Sequence, residues 1–135
     1  MKIYIAGPLC TKESREFLKE IDKICKEFEF ETFLPHRDAG LYEKKEDILR
    51  ISKKDKEMLH ECNLLIGVLD GVCVGAGTTW EMGYMAALGK QVIGLKTDRK
   101  VEESIGDISV IIAGQVKIVD SLEKLKEELK KLRSI

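Results

Sequence analysis

Apolar positions fall into two patterns along the chain, and the patterns alternate. Lys2–Ala6, Leu64–Leu69 and Gln91–Leu95 are short, nearly continuous β-rich runs, which predicts buried strands. Phe30–Leu34, stopped by Pro35, and Ile108–Ala113 predict two more. Between these runs apolar residues recur at helical spacing, as Phe17, Leu18, Ile21, Ile24, Cys25 and Phe28 do within Thr11–Phe28. Glu46–Cys62 repeats that spacing, Thr79–Leu88 reads as a helix stopped by Gly89, and Leu122, Leu125, Leu129 and Leu132 stripe the last helix.

Strands alternating with helices imply βαβ units and right-handed crossovers. The expected fold is α/β: a flavodoxin-like or Rossmann-like three-layer sandwich on a five-stranded, mainly parallel sheet. With 135 residues and no repeat, linker or low-complexity stretch, residues 1–135 are expected to form one domain. Ligands in such folds bind beyond the carboxyl ends of the strands. That directs attention to Gly7-Pro8, Pro35-His36-Arg37-Asp38 and the stretch from Asp70 to Glu81.

Composition narrows the classes. Lys and Arg number 23 against 24 Asp and Glu, a net charge of −1, which argues against a nucleic-acid polymer as partner. No apolar run approaches the ~20 residues of a membrane span, and the N-terminus shows no signal-peptide pattern. Cys10, Cys25, Cys62 and Cys73 lack zinc-like or redox-pair spacing, and buried free thiols are the expected state. A cytoplasmic protein without membrane contact follows. His36 and His60 stand far apart, so no metal site is expected.

Three side chains attract attention as chemistry. Asp55 falls on the stripe Ile48, Ile51, Ser52, Leu59 and Cys62, four beyond Ile51 and four before Leu59. Turned inward, it is either hydrogen-bonded structure or an acid with a raised pKa; a slight rotation of the helix would leave it in water beside Lys54 and Lys56. Glu81 closes Gly75-Ala76-Gly77-Thr78-Thr79-Trp80-Glu81. Thr78 and Glu81 have the spacing of a capping box, while a nucleophile kept ionised by the helix dipole is the functional alternative. Tyr4 lies inside a buried strand and needs a partner for its hydroxyl. The glycine loop Gly71–Gly77 has no Gly-Lys-Ser/Thr and is no P-loop.

Taken together, Ile3-Tyr4-Ile5-Ala6-Gly7-Pro8-Leu9, Phe33-Leu34-Pro35-His36-Arg37-Asp38 and Gly77-Thr78-Thr79-Trp80-Glu81-Met82-Gly83-Tyr84 resemble the nucleoside 2-deoxyribosyltransferase family. That superfamily also holds the 2′-deoxynucleoside 5′-phosphate N-hydrolases. The resemblance runs in order to about Val119. It implies Glu81 as the nucleophile at the anomeric carbon, Tyr4 as the hydroxyl that holds it, and Asp55 as the acid that protonates the departing base. His36 and Asp38 match the loop that contacts the base. Gln115 lies near a position that reaches the sugar 5′ end in a neighbouring subunit. A homodimer, no cofactor, a deoxynucleoside or deoxynucleotide with an acceptor base as partners, and a place in nucleotide salvage are further implications.

One departure concerns the sugar. Six residues before Glu81 the transferases carry Asp and the monophosphate hydrolases Ser, whereas this chain has Gly75, with Asp70 nearby as a substitute grip. Gly7, Pro8, Gly75 and Gly77 are the backbone-rich candidates for substrate contact. The Pro8–Lys12 loop offers few phosphate donors, which orders transfer ahead of hydrolysis. A phosphoribohydrolase lacks support without its Pro-Gly-Gly segment. A non-catalytic nucleotide-binding module is the alternative from another class.

Overall fold

A computed structural model describes Met1–Ser134. Lys2–Ala6 (β1), Glu31–Phe33 (β2), Leu64–Val68 (β3), Gln91–Leu95 (β4) and Lys117–Val119 (β5) form one sheet in the order β2-β1-β3-β4-β5, every neighbouring pair parallel. The helices are Lys12–Glu27 (α1), Pro35–Asp38 (α2), Asp47–Glu61 (α3), Ala76–Ala87 (α4), Ile105–Ile108 (α5), Val110–Gln115 (α6) and Leu122–Arg133 (α7), with a 3-10 turn at Val101–Glu103. This is the expected flavodoxin-like α/β sandwich.

Alternation along the strands divides the core in two. Ile3 and Ile5 face α1 and α7, joining Leu18, Ile21, Leu125 and Leu129. Tyr4 and Ala6 point the other way, toward α3, α4 and α6, where they meet Phe33, Leu59, Met82 and Met85. Thr11 opens α1 by accepting the Ser14 N–H at 3.0 Å, and Ser121 caps α7 in the same way through Lys124. At the end of β1 the chain passes so close to α1 that a Cβ on Gly7 would stand 2.6 Å from Leu18 Cδ2. A side chain there would have to displace the Leu18 methyl and press on Val68.

Several expectations need correction. Ile108–Ala113 is helical, not a strand. Its burial follows a four-residue step, with Ile108 and Ile112 inward while Val110 and Ile111 are 74% and 71% exposed. The β-branched content reads as strand, but packing against the sheet's second face prevails. The fifth strand is Lys117–Val119, paired with Ile93–Leu95. Residues 35–38 form a helical turn with Pro35 at its start, and α4 begins at Ala76, three residues before the expected Thr79. Ile48 is half exposed, so the inward side of α3 is carried by Ile51, Met58 and Leu59. Among the cysteines only Cys25 and Cys62 are buried; Cys10 and Cys73 are exposed.

Candidate active site

The parallel order puts the ends of β1 and β3 side by side at the edge where ligands are expected. The chain leaves β1 toward α1 and leaves β3 toward α4 on the opposite face, opening a crevice between the two exits. A cavity of about 1040 Å³ occupies it. Gly7, Pro8, Leu9 and Cys10 from the loop after β1, Pro35 after β2, and Leu49, Ser52, Asp55 and Leu59 from α3 line it. Gly75, Gly77, Thr78, Trp80 and Glu81 close the α4 side.

Three polar groups converge at its base. Tyr4 is fully buried, and its hydroxyl donates to Glu81 Oε2 across from α4. The capping-box alternative for Glu81 therefore fails: Gly75 caps α4, and Glu81 lies in the second turn, bonded to the sheet. That position also removes Glu81 from the helix end where a dipole would act, and burial dominates instead. Burial, with the nearby Asp55 charge adding to it, pushes the Glu81 carboxyl up to about 7, against the lowering effect of the Tyr4 hydrogen bond. Asp55 lies on the pocket side of α3; burial pushes it up to about 6, and its Oδ1 is buried without a hydrogen-bond partner. Burial and the two neighbouring carboxylates push Tyr4 upward, so it stays a donor.

These values describe an interacting pair. Near neutral pH the two carboxyls hold about one proton between them, which is what a site needing one carboxylate and one carboxylic acid requires. Burial raises Glu81 above Asp55, so Asp55 is the first of the pair to ionise; the Tyr4 hydroxyl lowers Glu81 and narrows that gap toward the Glu81 carboxylate and Asp55 acid.

Gly7, Pro8, Gly75 and Gly77 stand in the pocket wall as anticipated. Four other candidates do not line it. His36 sits next to Pro35, but both its ring nitrogens are buried without partners; burial and the cations of Lys19, Arg15 and Arg37 push its pKa down. Asp38 accepts the Leu34 N–H at 2.9 Å and pairs with Arg37, whose hydrogen bond holds its carboxyl below the usual range. Asp70 accepts the Thr97 N–H at 2.7 Å and so ties the end of β3 to the end of β4. Gln115 is exposed at the end of α6.

The sequence reading missed Lys53, Lys56, Leu49 and Trp80 as pocket residues. The signal was present: residues 49, 52, 53 and 56 surround Asp55 on one side of a helix. A buried cation was missed as well. Lys96 is 1% exposed and donates to the Leu69 and Gly71 carbonyls, each at 3.2 Å, while pairing with Asp98 at 2.9 Å. It fastens the loop that leads from β3 into α4. Among the described residues no cluster of His, Cys, Asp or Glu is placed to hold a metal, and no helix is long and apolar enough to cross a membrane.

A flavodoxin-like sheet with a tyrosine-held carboxyl and a second carboxyl in one apolar crevice defines the class: an α/β domain with paired acids at the carboxyl edge of a parallel sheet. The model of the nucleoside 2-deoxyribosyltransferase family matches residues 3–124, and the chain belongs to that family. An uncharacterized protein of Schizosaccharomyces pombe is 31% identical over 108 residues, 73% of this chain; the chain spans about half (51%) of that relative's length. Among solved structures, a conserved protein from Enterococcus faecalis is 25% identical with a TM-score of 0.82, covering 98% of both chains. A 2-deoxyribosyltransferase from Bacillus psychrosaccharolyticus matches at 0.78 and 20% identity over 93% of this chain and 90% of its own. A CMP N-glycosidase from Clostridium botulinum shares the fold at 0.58 and 20% identity over the full length of both chains. The superfamily comprises enzymes that transfer or hydrolyse N-glycosyl groups.

Proposed function

We propose that this protein cleaves the N-glycosidic bond of 2′-deoxyribonucleosides through a covalent glutamyl-deoxyribosyl intermediate and passes the sugar to another base. The observation that carries this reading is the Tyr4 hydroxyl on Glu81, with Asp55 facing the same cavity. In the first displacement a Glu81 carboxylate oxygen bonds to C1′ while the C1′–N bond breaks. The electron pair leaves on the base nitrogen, which takes the Asp55 proton. In the second, a ring nitrogen of the acceptor base bonds to C1′, the C1′–O bond breaks back to the Glu81 carboxylate, and Asp55 recovers the proton the acceptor loses.

With water in place of the acceptor the same site hydrolyses the N-glycosidic bond, and with a 5′-phosphate on the sugar it is a 2′-deoxynucleoside 5′-monophosphate N-hydrolase. That second reading is favoured by one observation, the two lysines in the pocket wall. We also read the working unit as a homodimer. Leu49, Trp80, Val110 and Ile111 expose 56–80% of their surfaces around the open side of the pocket and the nearby α6, which supports a second copy there. In such a dimer Gln115 serves the partner's pocket.

The test incubates the protein with deoxynucleosides and their monophosphates, with and without a free acceptor base. New nucleoside is the expected product, with a deoxyribosyl adduct on Glu81 by mass spectrometry. Free base without new nucleoside assigns hydrolysis. Tight binding without any base release sinks both and leaves a binding module.

A further inference from the structure

Among the described residues Lys96 is the one buried cation. Its backbone is fixed to the sheet, since the Lys96 N–H donates to the Val119 carbonyl at 3.0 Å just beyond the end of β4. Its ammonium has three donors and meets three acceptors: the Leu69 and Gly71 carbonyls, each at 3.2 Å, and Asp98 Oδ1 at 2.9 Å. Asp98 Oδ2 in turn accepts the Gly71 N–H at 2.8 Å, so Gly71 is gripped through both its N–H and its carbonyl. Gly71 stands at φ 108°, a conformation that glycine adopts freely and other residues do not. Three residues on, the Val74 N–H donates to the Asp107 carbonyl at 3.3 Å, and the Asp107 carboxylate pairs with Arg99. The loop from β3 into α4 is thus tied at two points to the segment that follows β4.

Stability alone does not call for such a grip. A buried ammonium offsets its lost hydration only when fully paired, and an apolar side chain of similar volume often serves stability as well or better. What the grip does control is where α4 begins. That first turn has little of its own to hold it: Gly75 caps it without a side-chain hydrogen bond, and Gly77 adds a second permissive position. Yet Gly75, Ala76, Gly77 and Thr78 are a wall of the pocket. A Cβ on Gly77 would meet nothing within 4 Å, so that glycine borders open space and not packed protein. Glu81 is held separately, by Tyr4 and by the packing of its neighbours Met82 and Met85 on the sheet. We propose that Lys96 and Asp98 are positioning residues for the reaction proposed above, on which this inference rests: they hold the glycine wall where it receives substrate, and so set substrate affinity without touching substrate or the carboxyl pair. With the loop loose, binding carries the cost of ordering it. That cost weakens ground state and transition state alike, which raises KM and leaves kcat in place.

Steady-state kinetics and amide hydrogen exchange test this together. Lys96→Met is expected to raise KM for the sugar donor by about tenfold or more, with kcat changed less than about threefold and the pH profile unmoved. Amide exchange at residues 70–79 is expected to quicken by about tenfold or more in the same variant. Asp98→Ala, a change at the surface, is expected to repeat the pattern at about three- to tenfold, and it carries the test if Lys96→Met does not fold. Asp98→Asn keeps an oxygen for the Gly71 N–H and is expected to recover most of what Asp98→Ala loses. Leu18→Ala, on the other face of the sheet, is the control: it lowers stability with KM unchanged. A fall in kcat at unchanged KM, a KM rise matched by Leu18→Ala, or unaltered exchange in the loop overturns the proposal. If the parent protein releases no base from any deoxynucleoside or its 5′-monophosphate, the chemistry is refuted, and the clamp is judged by calorimetry with the same compounds. A loss of affinity in Lys96→Met or Asp98→Ala, of the size given for KM, then sustains it. Unchanged affinity, or no binding to the parent protein, overturns it.

Discussion

The two faces of the sheet share strands and differ in almost everything else. On the α1/α7 side, Ile3, Ile5, Leu64 and Ile66 pack on Leu18, Ile21, Leu125 and Leu129 in a branched aliphatic layer. On the α3/α4 side the same strands present Tyr4, Ala6 and Leu65 to Met58, Cys62, Met82 and Met85. The first face holds shape through interlocking rotamers. The second is filled by adaptable thioethers and carries the buried hydroxyl and carboxyl groups. A single residue step along β1, from Ile3 to Tyr4, crosses from one regime to the other. Chemistry on one side is carried by a sheet held rigid from the other.

Substitutions on either face should separate activity from stability. The largest expected effect is Glu81→Ala, which lowers base release by roughly a thousandfold or more while the melting temperature changes little. Its counterpart, Leu18→Ala, is expected to cost about 2–5 kcal/mol of stability, read by denaturant unfolding, with near-normal kcat in the folded fraction. Comparable activity losses in the two variants would break the division.

Asp55→Asn is the next step down, with a loss of about 10²–10⁴ on natural substrates and far less on one whose leaving group is already activated. Equal losses on both kinds of substrate would give Asp55 a structural role. Tyr4→Phe is milder, about tenfold in kcat/KM. Activity should peak between about pH 6 and 7, rising as the pair loses its first proton and falling as it loses its last. Without the Tyr4 hydrogen bond, which lowers the Glu81 pKa, the alkaline limb of that profile moves to higher pH. A profile that does not move would mean Tyr4 acts through packing alone.

The smallest effect is on stability. Glu81 and Asp55 titrate above their ordinary values in the folded chain, so their contribution is fully present below about pH 4 and is lost as pH rises through 6 and 7. Glu81→Gln removes part of that loss and should stabilise the chain at pH 8 by about 1–3 kcal/mol, while changing little at pH 4. Thermal melts at the two pH values read the difference.

Where burial was complete, the sequence was legible. The central strands β1, β3 and β4 are nearly continuous apolar runs because both of their faces are covered, and Gly89 at φ 73° closes α4 where it was expected to. The outer strand β5 was not legible. Three residues, Lys117–Val119, give too short a pattern, and the β-branched run before them was the stronger signal. At the site, Asp55 was found because a carboxylate on an apolar stripe conflicts with its neighbours. Lys53 and Lys56 conflict with nothing in sequence, since Lys53-Lys54-Asp55-Lys56 reads as a solvated face. His36, Asp38 and Asp70 follow strands, as ligand-binding residues do, yet Asp38 and Asp70 spend oxygens on backbone N–H groups, of Leu34 and of Thr97. Position after a strand is shared by ligand contacts and loop staples, and only geometry separates them.

The shortness of β2 and β5 has a consequence for how copies of this chain meet. Each outer strand has three residues, and each begins with an exposed charge, Glu31 on one side and Lys117 on the other. An open sheet margin is a template onto which another chain can crystallise as an added strand, and fibrils grow that way. Here the template is too short and too charged at both margins to propagate. At high concentration, association is therefore expected to run through helix side chains, where Leu49, Trp80, Val110 and Ile111 are exposed, giving closed assemblies in place of filaments.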